Sequence, residues 1–172
     1  MMAADLLNGM LSVVGTAGND NIQVQVATSG AHSGELQVDV NGQQSFFTVN
    51  QVNSIRILGH AGNDTITVND NVSINTTING GKGNDTIKGG SGDDTIHGDA
   101  GNDTIDGSAG NDTIFGDQGN DTIHGGDDDD TIDGGNGNDT IDGEAGDDTC
   151  HGGHGKEVVH GGAGGDMVYG VH

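Results

Sequence analysis

The stretch "GDAGNDTID GSAGNDTIF GDQGNDTIH" (residues 98–124) is three nine-residue units that differ at only a few positions. The same frame runs in ten tandem units from Gly80 to Tyr169. Position 1 is always Gly, and position 4 is Gly except at Asp128. Position 6 is acidic in every unit: Asp85, Asp94, Asp103, Asp112, Asp121, Asp130, Asp139, Asp148, Glu157 and Asp166. Position 7 is Thr from Thr86 to Thr149, and position 8 is Ile in seven units, then Cys150, Val159 and Val168. A fixed period of this length is the signature of a repeat architecture.

Each unit divides in two. Positions 1 to 6 are glycine and acid, a loop whose backbone needs conformations disfavoured by a Cβ. Positions 7 to 9 alternate polar, apolar and polar, the pattern of a three-residue strand with position 8 inward. So short a strand is stable only when stacked on its like, which gives parallel ladders and a seam of Ile. With two units per turn, one face reads Lys88, Asp106, His124, Asp142 and His160 at position 9, and alternating charge on stacked rungs is favourable. The expected architecture is all-β: a right-handed parallel β-roll over residues 80–169, a β-rich cap over residues 1–79 and a tail at 170–172.

The composition points the same way. Among 172 residues there are 35 Gly, no Pro and no Trp, and 27 acidic side chains face four basic ones (Arg56, Lys82, Lys88, Lys156), for a formal net charge of −23. Few large apolar residues and high charge leave a chain unable to bury enough surface to fold unaided. The strict register of Asp and Ile argues for a bound partner rather than disorder. The absence of a basic stripe excludes nucleic acid, and the charge disfavours anionic membranes. No stretch approaches the ~20 apolar residues of a membrane span. The opening "MMAADLLNGMLSVVG" lacks the basic start and apolar run of a standard signal peptide. Cys150, the only cysteine, replaces Ile in the frame and reads as a small buried hydrophobe.

Cations are the natural partners. Stacked position-6 carboxylates ~4.8 Å apart repel by about 3 to 4 kcal/mol at an effective dielectric near 20. A divalent cation between successive loops turns that repulsion into a bridge. The available donors are carboxylates and glycine-loop carbonyls, which suit Ca²⁺, whereas Mg²⁺ demands a stricter octahedron and the soft ligands for zinc or copper are missing. Several calcium ions are expected.

The units GGKGNDTIK (80–88), GGSGDDTIH (89–97) and GGNGNDTID (134–142) closely resemble the G-G-x-G-x-D-x-U-x repeat of the RTX (repeats-in-toxin) calcium-binding family. That resemblance implies a β-roll with calcium between neighbouring same-side loops, each ion shared by the position-6 acids of two loops and by loop carbonyls. It also implies export by a one-step secretion system and folding on meeting extracellular calcium. Three units depart from the pattern. Asp128 stands where a loop glycine belongs, which predicts a distorted or weaker site at Asp130. Glu157 is longer than Asp and has Lys156 beside it. Unit ten regains Asp166, but the long C-terminal segment common in the family does not follow, so the chain is a fragment or its export takes another route.

Upstream, "GTAGNDNIQV" (15–24) and "GHAGNDTITV" (59–68) repeat the loop in isolation. Asp20 and Asp64 within them are calcium candidates or purely structural turns, since neither has a partner nine or eighteen residues away. Between them, "GELQVDVNGQQSFFTV" alternates around Asn41-Gly42, a hairpin signal.

His97, His124, His151 and His160 at position 9 read as a solvated strand face, and no nucleophile elbow, zinc-protease helix or phosphate loop is present. The function expected is therefore a non-enzymatic, secreted calcium-binding module, with a fused domain or a cell-surface partner as its further company. The alternatives are an adhesive or ice-binding solenoid built on the Thr column, or a non-catalytic module of a secreted polysaccharide-acting enzyme or protease.

Overall fold

The computed structural model describes residues 4–170. Two nine-stranded sheets face each other, and apart from the hairpins at the N-terminal end the chain passes from one sheet to the other between successive strands. Strands on one sheet pair with those eighteen residues away: Thr95↔Thr113, Ile96↔Ile114 and His97↔Phe115 on one, Thr104↔Thr122, Ile105↔Ile123 and Asp106↔His124 on the other. Two units thus make one turn. The charge-alternating column runs Lys88, Asp106, His124, Asp142 and His160 across four successive parallel pairings.

The core is the position-8 seam. Ile78, Ile96, Ile114, Ile132 and Cys150 from one sheet meet Ile87, Ile105, Ile123 and Ile141 from the other, all 1% exposed or less. Burial of one such side chain is worth about 1.5–3 kcal/mol relative to exposure. The seam loosens toward the end, where Val159 is partly buried and Val168 is 41% exposed.

Several strands are longer than three residues. Thr104–Ala109 and Thr122–Asp127 carry the ladder past position 9 into positions 1 to 3 of the next unit. Position 2 then turns the corner with a left-handed backbone, at φ +71° for Asp99 and +86° for Ser108. Position 4 is glycine for a steric reason. At Gly119, φ +142°, a Cβ would lie 1.5 Å from the Gly101 carbonyl oxygen of the previous turn.

The fold does not change at residue 80. Met10–Val14 pairs in parallel with Ser54–Ala61, which pairs in parallel with Thr76–Lys82; on the other sheet Asn21–Val26 pairs with Thr65–Val68, and that with Thr86–Gly90. Residue 80 marks where the nine-residue spacing becomes regular. What caps the roll is a pair of hairpins. Leu36–Val40 and Gln43–Phe47 are joined at Asn41-Gly42 (φ +54° and +83°) and extend the sheet from Asn21–Val26. Ala4–Leu7 folds back on Met10–Val14 through Asn8-Gly9 (φ +53° and +83°), a hairpin the sequence reading had passed over. Both turns have the two positive φ angles that tight hairpins favour. Among the described residues no helix is long and apolar enough to cross a membrane.

Candidate metal centre

The position-6 acids stand in two columns, one along each edge where the chain crosses between sheets. On the first edge, the N–H of Asp64 donates to Oδ1 of Asp85, Asp85 to Asp103, Asp103 to Asp121, and Asp121 to Asp139, at 2.7 to 2.9 Å. On the second, Asp94 donates to Asp112, Asp112 to Asp130, Asp130 to Asp148, and Asp148 to Asp166, at 2.8 to 3.1 Å. Thr76 begins the second column by donating its N–H to Asp94 Oδ1 at 2.6 Å.

Each carboxylate uses only one oxygen in this way. The Oδ2 atoms of Asp64, Asp85, Asp94, Asp103, Asp112, Asp121, Asp130, Asp139 and Asp148 are buried with no hydrogen-bond partner. Each points to the glycine at position 1 of its own loop. At Gly98 a Cβ would meet Asp103 Oδ2 at 2.5 Å and the Gly116 carbonyl oxygen at 2.9 Å, so two oxygens from successive loops face one spot. Gly80 and Gly107 show the same convergence.

Orphaned buried carboxylate oxygens are costly. Burial pushes the carboxyl of Asp112 up to about 8, those of Asp94, Asp103 and Asp130 up to about 7 and that of Asp121 up to about 6. Neighbouring carboxylates push in the same direction, and the N–H bond to Oδ1 pulls against them. Burial likewise raises Asp64, Asp85, Asp139 and Asp148. Either a proton or a cation relieves such a group.

Among the described residues no three acidic, His or Cys side chains gather as a metal cluster. A cation here would therefore draw on carbonyls for most of its ligands. An all-oxygen set of this kind, with unpartnered Oδ2 atoms beside glycine carbonyls of the next loop, fits Ca²⁺.

The outlying candidates fall into place one by one. Asp64 does have stacked partners, at spacings of 21 residues to Asp85 and 44 to Asp20, which a search at nine or eighteen could not find. Asp20 is satisfied: Thr16 donates its N–H and hydroxyl, and the Asn41 side chain donates to Oδ1. Asp128 takes φ +78°, yet the Asp112 and Asp130 N–H bonds around it keep the 2.8 Å of their neighbours, so the hydrogen-bonded frame shows no distortion. Glu157 is 7% exposed with both oxygens unpartnered, and its Cγ occupies the space beside Gly152 that Oδ2 fills beside sister glycines. Asp166, on the last described rung, is half-buried.

A second ladder had no part in the sequence reading. Asn102 donates its N–H to Oδ1 of Asn84, Asn120 to Asn102, and Asn138 to Asn120, at 2.7 to 2.9 Å. Its signal was the recurrence of Asn or Asp at position 5. The position-9 histidines are surface contacts: His97 stacks on Phe115 with ring centroids 4.6 Å apart and lies 3.0 Å from Asp117, and His151 stacks on Tyr169.

A family model described as the RTX calcium-binding nonapeptide repeat (4 copies) matches residues 56–71, 73–105, 98–132, 106–141, 124–156 and 151–170. Searches of curated proteins and of solved structures returned no match.

Proposed function

Because the chain belongs to the RTX calcium-binding nonapeptide repeat family, we propose that it is a secreted, non-catalytic β-roll that folds as it binds calcium. The observation that carries this reading is the row of nine buried, unpartnered Oδ2 atoms. Asp64, Asp85, Asp103, Asp121 and Asp139 would hold ions along one edge, and Asp94, Asp112, Asp130, Asp148 and Asp166 along the other, with loop carbonyls completing each site. Glu157 is a variant ligand at the end of its edge, and Asp20, already satisfied, stays outside the set. Bound calcium supplies the positive charge that lets these carboxylates remain ionised while buried. The protein's part is to fix Oδ1 by the N–H of the preceding rung, leaving Oδ2 free.

Metal binding is then folding free energy. Weak single sites, in the ~10⁻⁴ to 10⁻³ M range of extracellular modules, act together because neighbouring loops share each ion. A chain of this kind stays expanded where calcium is scarce and compacts outside the cell, consistent with a family typical of secreted proteins. The experiment is a far-UV circular dichroism titration with CaCl₂ beside MgCl₂. The expected result is a cooperative gain of β signal at millimolar calcium, reversed by chelator and weak with magnesium. A folded spectrum indifferent to chelator overturns the proposal.

A further inference from the structure

The two edges hold the same buried carboxylates in different surroundings. In the loops of Asp85, Asp103, Asp121 and Asp139, position 5 is Asn84, Asn102, Asn120 and Asn138. The only other charges in those four loops are Lys82, Asp99 and Asp117. In the loops of Asp94, Asp112, Asp130 and Asp148, position 5 is Asp93, Asn111, Asp129 and Asp147, and Asp127, Asp128 and Glu144 add to them with no Lys or Arg. These six additional acids are exposed.

The position-5 ladder sharpens the contrast. An Asn column stacks rung on rung without repulsion. On the second edge the same bonds hold carboxylates in series: Asp147 donates its N–H to Asp129 Oδ1, and Gly165 to Asp147 Oδ1, each at 2.8 Å. That places like charges one rung apart, a repulsion that a cation removes. Beside them lie the unpartnered Oδ2 atoms of Asp112, Asp130 and Asp148, each 2% exposed or less. An exposed carboxylate ~8 Å from a divalent ion strengthens binding about twofold after screening, and the effect accumulates along an edge.

We infer that the edge of Asp94, Asp112, Asp130 and Asp148 takes up calcium first and more tightly, and that the edge of Asp85, Asp103, Asp121 and Asp139 fills after it. The inference rests on the calcium reading above and adds an order of loading. It predicts two classes of site in one roll.

The test is isothermal titration calorimetry with CaCl₂ on the full chain and on two charge-matched variants, Asp129→Asn/Asp147→Asn and Asp99→Asn/Asp117→Asn. Asn already serves at position 5 in sister loops and tolerates the left-handed backbone of position 2, so both variants keep the fold. The expected result is two classes of site, with the first variant weakening the tighter class about three- to fivefold and the second moving only the weaker class. A single class shifted equally by both variants overturns the inference, as does a second variant that weakens the tighter class. No calcium heat in any chain, with no ion retained in equilibrium dialysis, overturns the calcium reading and this inference with it. Failure of the loading order alone leaves calcium binding intact, so the two failures are distinguishable.

Discussion

The backbone N–H of Asp94 lies 2.8 Å from Oδ1 of Asp112, eighteen residues on, while Oδ2 of the same Asp112 side chain is buried without a partner. One carboxylate therefore does two jobs that a substitution can separate. Asp112→Asn keeps an oxygen for the Asp94 N–H and removes the charge. The expected outcome is a calcium midpoint raised about two- to fivefold and fewer ions bound, with no loss of β signal in the metal-free chain. Equilibrium dialysis beside circular dichroism checks both. An unchanged ion count would show that Asp112 is no ligand.

Without calcium, the pH dependence follows from the raised carboxyls. Folded, Asp94, Asp103 and Asp130 ionise at about 7 and Asp112 at about 8; their ordinary value is 3.8. Between those limits the folded chain binds more protons than the unfolded one, so stability falls as pH rises. It is fully present below 3.8 and is lost through pH 7 to 8. In chelator the β signal should be stronger at pH 5 than at pH 8, and calcium should act at lower concentration at pH 8, where protons no longer compete. Equal metal-free spectra at the two pH values would contradict the burial argument.

The backbone offers a sharper lesion. Gly119 has φ +142°, and a Cβ there would lie 1.5 Å from the Gly101 carbonyl oxygen. Gly119→Ala strains the residue's own conformation and pushes two turns apart. A loss of roughly 2 kcal/mol or more is expected, the range of special backbone and overpacking lesions. Denaturant unfolding in saturating calcium measures it.

Most of this was legible because the frame repeats without insertion from Gly80 onward. Ile at position 8, Asp at position 6 and the eighteen-residue turn all came from counting, and the columns of the structure are those of the sequence. What escaped was whatever breaks the count. Asp64 joins its column through a 21-residue turn, off the regular eighteen, and Asp20 joins Asp64 through a 44-residue one, because a hairpin and a short helical turn at Val49–Gln51 are spliced between Asp20 and Asp64. The start of the roll before residue 80 was hidden for the same reason. The satisfied state of Asp20 depends on Asn41, a hairpin residue 21 positions away that only folding brings near. The Asn ladder was visible in the sequence but mute, since periodicity shows that a residue recurs and not which atom it bonds.

Cys150 supplies a reporter of the folded state. It takes an Ile position in the seam, is fully buried, and burial raises its thiol to about 11, with Asp148 and Asp166 adding to the shift. A thiol both enclosed and held protonated is unreactive, because the thiolate is the nucleophile. In calcium, labelling by a thiol-specific disulfide reagent at pH 8 should be slowed at least about a hundredfold relative to the chelated chain. The rate in intermediate calcium should follow the fraction unfolded, since reaction waits on opening of the seam. Fast labelling in saturating calcium would place Cys150 outside the core, while slow labelling in chelator would mean that the seam closes without metal. Cys150→Ala should leave calcium binding in place and lower stability modestly, by about 1 kcal/mol, because the loss is one sulfur from a column of isoleucines.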